Sequence, residues 1–485
     1  MIATALAKVV STPARLVVIA FASLITLGTI LLVLPVAVDA AGAVGVQDAL
    51  FISTSASTVT GLATVDIAGF SLFGELVILG LIQVGGFGVM TIGSVLALVV
   101  LERVGLRQRM VAQAEIGLVD IGELSRLLWA IARITVVVEA SLALVLFARF
   151  WQGGYEDGPV SSAYSAVFHS VASFNNAGIS LYSDNLARFV GDPFVTLPVT
   201  ASFTVGGLGF PLLVELWRRR PGRVGAAQRR ARPRDGGSNG ARGHGGRRRS
   251  IAGVAEPTRA QPWSLHARMT LTATGVLLVI GPAMVCALEW SNPDTLGDLD
   301  VGGKLLAGWF QGVTPRTAGF NTVPIGAMNE TTLFGTTVLM FIGAGPASTS
   351  GGIKVTTAAV LCAVIYAEVR GDRDVNIFRR RIPPSMVRAS LTILLLSVGL
   401  VVGTSLVLMA AEGIELTAAL FESASAFGTV GLSTGVTGSL GTAGHLVLVV
   451  VMFFGRVGPV TFATAIALRS DLRLYRHPEE RPIIG

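Results

Sequence analysis

The chain has 485 residues, 52% of them hydrophobic and only 14% charged, with 37 Lys and Arg against 30 Asp and Glu for a net charge of +7. A mean hydropathy of +0.68 leaves too little polar surface to solvate a globule of this size. Cys286 and Cys362 both lie inside apolar stretches and the five histidines show no metal-ligand spacing, which argues against a disulfide framework or a zinc cluster.

From the N-terminus, Lys8 and Arg15 precede an apolar run from Leu16 to Val36, with small residues near Ala40. The run exceeds the roughly 7–15 residues of a signal-peptide core, so it reads as a retained first helix, with cleavage as the alternative. Phe73 to Leu101, Leu271 to Leu288 and Leu391 to Met409 are further runs of the length that a bilayer demands, about 20 residues. Between the long runs lie shorter apolar segments, Val46 to Ala56, Ser162 to Ser173, Gly303 to Val313 and Leu416 to Ala426. These are too short to span and suit re-entrant half-helices.

Each short segment leads into a similar stretch: Ser57-Thr58-Val59-Thr60-Gly61-Leu62, Phe174-Asn175-Asn176-Ala177-Gly178-Ile179, Pro315-Arg316-Thr317-Ala318-Gly319-Phe320 and Phe427-Gly428-Thr429-Val430-Gly431-Leu432. The glycines recur at intervals of about 110–140 residues, too long for a solenoid and right for a domain-sized unit. The expected fold is an all-α integral membrane protein: four tandem units of helix, pore half-helix, filter and helix around one central pore. The expected units are residues 1–110, 111–217, 263–375 and 376–485, the last including a C-terminal tail. The insertion 218–262, rich in Arg, Gly, Ala and Pro, is expected to be a disordered cytoplasmic linker. Its arginines lack interleaved aromatics, so it reads as a positive-inside determinant touching anionic lipid, with no nucleic acid partner. Arginines also crowd into Arg103 to Arg109, Arg370 to Arg388 and Arg469 to Arg481, which places these segments and both termini in the cytoplasm.

Glycine suits a cation filter because it adopts positive φ at little cost, letting backbone carbonyls crowd an axis and replace an ion's hydration shell. The expected K+-binding residues are therefore Thr58, Val59, Thr60 and Gly61; Asn175, Asn176, Ala177 and Gly178; Arg316, Thr317, Ala318 and Gly319; and Gly428, Thr429, Val430 and Gly431. Half-helix dipoles aimed at the pore favour the same ion. The run from Gly343, Ala344 and Gly345 through Ser348, Thr349, Ser350, Gly351 and Gly352 to Lys354 cannot hold a continuous helix, so its freed backbone must face a cavity. Arg456 is an intramembrane charge and hence a functional candidate. Asp66, Asp184 and Glu422 could attract cations at the mouth, although Glu422 could equally anchor its half-helix. His169 reads as a hydrogen-bonded core histidine.

The four filter stretches, with Ser57 to Asp66, Ser173 to Ser180, Thr314 to Asn321 and Gly428 to Ser433, resemble the Ktr/Trk/HKT superfamily of potassium transporters over nearly the whole chain apart from the linker. The resemblance implies potassium selectivity from glycine at all four filters, and no enzymatic activity or covalent cofactor. It identifies the Gly343–Lys354 run as an intramembrane gating loop, and Arg456 as a pore-facing barrier that partners it. The tail from Tyr475 to Gly485 resembles the KtrB branch more than the TrkH branch. That implies a homodimer on a cytoplasmic KtrA-type nucleotide-binding ring, with nucleotides on the ring and not on this chain. Whether sodium couples the flux, as in symport, is left open. A secondary carrier would need inverted repeats and paired broken helices; the repeats here run parallel.

Overall fold

The computed structural model describes residues 13–39, 44–102, 121–219 and 263–468. Most of the linker 218–262, the arginine-rich stretches 103–109 and 469–481 and the tail 475–485 lie outside the described residues.

The long apolar runs form α1 (Pro13–Val33), α3 (Leu72–Glu102), α4 (Ile121–Gly153), α8 (Leu265–Glu289), α12 (Pro384–Glu412) and α14 (Thr442–Leu468). Among the described residues, Leu128–Gly153, Leu265–Glu289 and Pro384–Glu412 are long and apolar enough to cross a membrane. Their outward faces carry large apolar side chains such as Leu144, Val279 and Leu395, as lipid contact requires. The short helices are α2 (Val46–Thr58), α5 (Pro159–Phe174), α9 (Val301–Val313) and α13 (Leu416–Gly428), each within a few residues of the expected half-helix. Local chemistry starts several helices: Asp300 Oδ1 accepts from Gly303 N–H at 2.9 Å to cap α9, and Ser264 Oγ accepts from Ala267 N–H at 3.1 Å to cap α8.

Two long segments are broken. In the third unit α10 (Glu330–Phe341) and α11 (Val355–Arg370) flank the expected interruption. In the second unit α6 (Pro193–Leu208) and α7 (Phe210–Arg218) meet at Gly209 with a bend of 102°. The sequence reading assigns a break to the third unit alone, so the second is a correction. Gly209 has φ of 87° there, a conformation that glycine adopts without strain. Between α11 and α12 a two-residue hairpin, β1 (Asn376–Ile377) and β2 (Arg380–Arg381), turns through Phe378 and Arg379 with positive φ and exposes its arginines.

The helices close into a cycle. α5 packs on α3, α9 on α6, α13 on α10 and α2 on α14, so each short helix leans on the second long segment of the unit before it. The last unit thereby meets the first. Two apolar cores follow this cycle: one joins the first two units but takes in Phe310 and Phe320 of the third, while the other joins the last two and takes in Phe51 and Leu62 of the first.

Candidate functional site

The loops that follow the four short helices are built by one local device. In the first unit Val59 turns left-handed (φ 57°, ψ 50°), its N–H bonding Ala56 O at 3.1 Å while Thr60 N–H reaches Ser55 O at 2.7 Å. These are the paired bonds that terminate a helix around a left-handed residue. Thr429 and Val430 repeat them on Ala426 and Ser425, and Asn176 and Ala177 on Ser173 and Ala172. The third unit varies: Thr317 is left-handed (φ 71°), but Ala318 N–H bonds Thr314 O at 2.9 Å. Val59, Thr317 and Thr429 are β-branched, and this conformation costs an L-residue roughly 1–2 kcal/mol. A left-handed residue held at the same place in four separate segments, three times by a β-branched side chain, points to function.

Two residues on stand Gly61, Gly178, Gly319 and Gly431, with φ of 99°, 64°, 77° and 94°. A Cβ at Gly61 would lie 2.3 Å from Ala177 O, one at Gly178 3.0 Å from Ala318 O, one at Gly319 2.2 Å from Val430 O, and one at Gly431 2.3 Å from Thr60 O. Each glycine thus abuts the carbonyl that precedes the next glycine, and the fourth returns to the first. Within this ring no position has room for a side chain.

Supports behind the loops hold the geometry. Ser55 Oγ accepts from Gly61 N–H at 2.9 Å and Ser425 Oγ from Gly431 N–H at 3.1 Å. Glu422, fully buried, accepts from Ser433 Oγ (2.7 Å), Thr434 N–H (2.9 Å) and Thr437 Oγ1 (2.6 Å), so it anchors the chain leaving its loop instead of sitting at the mouth. His169 occupies the equivalent place in the second unit, bonding Ser180 Oγ at 2.9 Å and Ser165 O at 2.7 Å. Asp184 is paired with Arg188 at 2.8 Å, while exposed Asp66 caps a turn through Ala68 N–H. Glycines on the second long helices admit the loops: Cβ atoms at Gly85, Gly206 and Gly455 would meet Ser57 O, Phe174 O and Phe427 O at 2.0–2.1 Å.

The residues ahead of the ring differ. Thr58 and Gly428 fall in the last turns of α2 and α13, Thr58 Oγ1 donating to Thr54 O at 2.7 Å. The Asn175 side chain points away from the ring and donates to Gln83 Oε1 at 2.7 Å and Glu139 Oε1 at 3.2 Å. Arg316 is buried with its Nε unpartnered among the described residues.

The interruption between α10 and α11 lies against this ring. A Cβ at Gly351 would meet Thr429 Oγ1 at 2.4 Å, and one at Gly352 would meet Gly428 Cα at 3.3 Å. Thr349 Oγ1 bonds Asn176 Oδ1 at 2.9 Å. The segment therefore touches the second and fourth loops, which are opposite members of the ring. Lys354 Nζ donates to Ser350 O at 2.5 Å and ties the segment to itself, as does Ser350 N–H on Ser348 Oγ at 3.3 Å. Arg456, only 2% exposed, donates to Thr349 O and, at 3.2 Å, to Gly85 O. The two breaks also interlock: Gly345 N–H bonds Gly207 O at 2.8 Å and Phe210 N–H bonds Ala347 O at 3.1 Å. A Cβ at Gly343 would meet Gly351 O at 2.3 Å, so the segment folds tightly on its own backbone.

Sequence reasoning passes over Ser55, Ser425, Glu139, Gly209 and the three helix glycines. The signals exist. Glu139 is a carboxylate inside an apolar run, and Gly206-Gly207-Leu208-Gly209-Phe210-Pro211 is as breaker-rich as the third-unit loop.

Three comparisons bear on this geometry. A family model described as TrkH, cation transport protein, matches residues 5–230 and 267–473. Ktr system potassium uptake protein B of Bacillus subtilis (strain 168) is 37% identical over 476 residues, covering 98% of this chain and 97% of that protein. The protein of the same name from Vibrio alginolyticus is 34% identical over 97% of this chain and 94% of its own length. In fold, the chain matches the crystal structure of the potassium transporter TrkH from Vibrio parahaemolyticus with a TM-score of 0.65 at 17% identity, over 94% of this chain and 84% of that one.

Proposed function

The chain belongs to the TrkH family of cation transport proteins, and from that membership and the closed glycine ring we propose that it is the ion-conducting subunit of a Ktr/Trk-type potassium uptake system. It is a multi-pass membrane transporter and not an enzyme. One observation carries the mechanism. Gly61, Gly178, Gly319 and Gly431 each abut the carbonyl ahead of the next glycine, so four backbone loops surround one axis at membrane depth. Backbone in that setting is tolerated where it lines a cavity, and a ring of carbonyls can replace the hydration shell of K+. In this reading K+ binds among the carbonyls of Thr58 to Gly61, Asn175 to Gly178, Arg316 to Gly319 and Gly428 to Gly431.

The segment from Gly343 to Lys354 then lies across the ion's path as a gate, because it contacts opposite loops of the ring. Arg456 latches it and places a fixed positive charge beside the path, which slows a cation until the segment moves. A cytoplasmic nucleotide-binding ring of the KtrA type supplies the signal, this chain works as a homodimer in the plasma membrane with both termini in the cytoplasm, and the arginine-rich linker touches anionic lipid. Sodium coupling is compatible with this arrangement and is not required by it.

The test is rescue of a potassium-uptake-deficient bacterium at low potassium, with a cognate ring protein present. Wild type is expected to rescue, and Gly61→Ser to lose preference for potassium over sodium. Failure of wild type to rescue contradicts the potassium reading; an unchanged preference in Gly61→Ser contradicts the filter assignment.

A further inference from the structure

Glu139 is a part-buried carboxylate on α4, inside the stretch Leu128–Gly153 that is long and apolar enough to cross a membrane, where an acidic side chain is expensive. Its Oε1 accepts from Asn175 Nδ2 at 3.2 Å and its Oε2 from Gln83 Nε2 at 3.3 Å, while Gln83 Oε1 accepts from the same Asn175 Nδ2 at 2.7 Å. The three side chains form a closed triangle joining α3 of the first unit, α4 of the second and the residue that leads into the second filter loop. No lysine or arginine lies within ion-pairing distance of Glu139 among the described residues.

The equivalent filter positions are built otherwise. Thr58 bonds its own helix, Gly428 has no side chain, and Arg316 carries the opposite charge. Asn175 Nδ2 also donates to Val171 O of its own helix at 2.9 Å, but Asn175 alone of the four adds a carboxylate from another helix. Its amide fits tightly: a Cβ at Gly86 would lie 2.0 Å from Asn175 Oδ1, so the side chain cannot swing toward α3. Both carboxylate oxygens face amide donors, and no ion pair with lysine or arginine is seen at Glu139 among the described residues.

We propose that Glu139 is a positioning residue for potassium binding: it orients Asn175 from behind the second filter loop and contributes negative charge that favours the ion in the ring. This rests on the filter reading above. Removing a charge one side chain behind the ring, in a medium of intermediate dielectric, is expected to weaken binding about tenfold.

The test measures initial rates of potassium uptake in the uptake-deficient bacterium carrying a cognate ring protein. Glu139→Gln is compared with the exchange Gln83→Glu/Glu139→Gln, at matched amounts of chain in the membrane. Glu139→Gln is expected to raise KM for potassium about tenfold with little change in the maximal rate. The exchange conserves the donor and acceptor set and moves the carboxylate only across the triangle, so it is expected to bring KM back to within about twofold of wild type. A wild-type KM in Glu139→Gln overturns the charge role. An exchange that keeps the raised KM, or that fails to reach the membrane, overturns the triangle as its basis. Wild-type failure to transport, or an unchanged ion preference in Gly61→Ser, instead counts against the filter reading itself.

Discussion

Val59, Asn176, Thr317 and Thr429 each hold a left-handed backbone, and two residues later a glycine holds another. The intervening Thr60, Ala177, Ala318 and Val430 present the carbonyls that the neighbouring glycines abut. A methyl at Gly431 would sit 2.3 Å from Thr60 O, so Gly431→Ala must shift the first loop as well as its own. Overpacking of this kind costs about 1–3 kcal/mol. We expect Gly431→Ala to reach the membrane yet lose most potassium uptake, which isotope flux at matched expression would read; wild-type flux would mean that the ring has slack. Arg456 makes the opposite kind of prediction. Arg456→Gln loses charged donors to Thr349 O and Gly85 O, bonds of roughly 1.5–3 kcal/mol each. The maximal uptake rate is expected to rise severalfold with the KM little changed, and an unchanged rate would reduce the latch to a packing contact. At this scale the glycines are legible in the sequence because only glycine tolerates both the φ and the contact. The left-handed Val59, Thr317 and Thr429 are not, since local propensity rejects β-branched residues there and only the surrounding packing overrides it.

At the scale of elements, the short helices are legible to within a few residues because their length alone separates them from spans. The third-unit break is legible for the same kind of reason: no helix survives Gly343 to Gly352. The second-unit break carries breakers from Gly206 to Pro211, but the apolar run continues past them and the bend itself is fixed by tertiary contacts. Gly209 bends because Phe210 N–H is taken by Ala347 O, and a Cβ at Gly209 would lie 2.3 Å from Pro346 O. The two breaks therefore share hydrogen bonds and must rearrange together. Gly209→Ala is expected to displace the third-unit segment, altering potassium flux in proportion to a loss of thermal stability in detergent. A variant with normal stability and normal flux would show that the second break is independent of the third-unit segment. Asn176→Ala removes the acceptor of Thr349 Oγ1, a bond worth about 1 kcal/mol in a neutral pair. It is expected to raise flux less than Arg456→Gln does, and a larger effect would place the main latch at Asn176.

For the whole molecule, the sequence yields four units but not how they close. One central pore is the expectation, but the repeated glycines do not say which element meets which. Closure appears in two independent observations: every short helix leans on the preceding unit's second long segment, with α2 leaning on α14, and every filter glycine abuts the next loop, with Gly431 returning to Thr60. The fourfold ring carries unequal parts, with the break pair in the middle units, Arg456 in the last and Glu139 behind the second loop. The most direct test of the glycine ring as the ion site is the anomalous scattering of rubidium in crystals of the protein grown in rubidium in place of potassium. Peaks are expected on the axis enclosed by Gly61, Gly178, Gly319 and Gly431; an axis without peaks at saturating rubidium, or peaks only outside the ring, would contradict the filter reading.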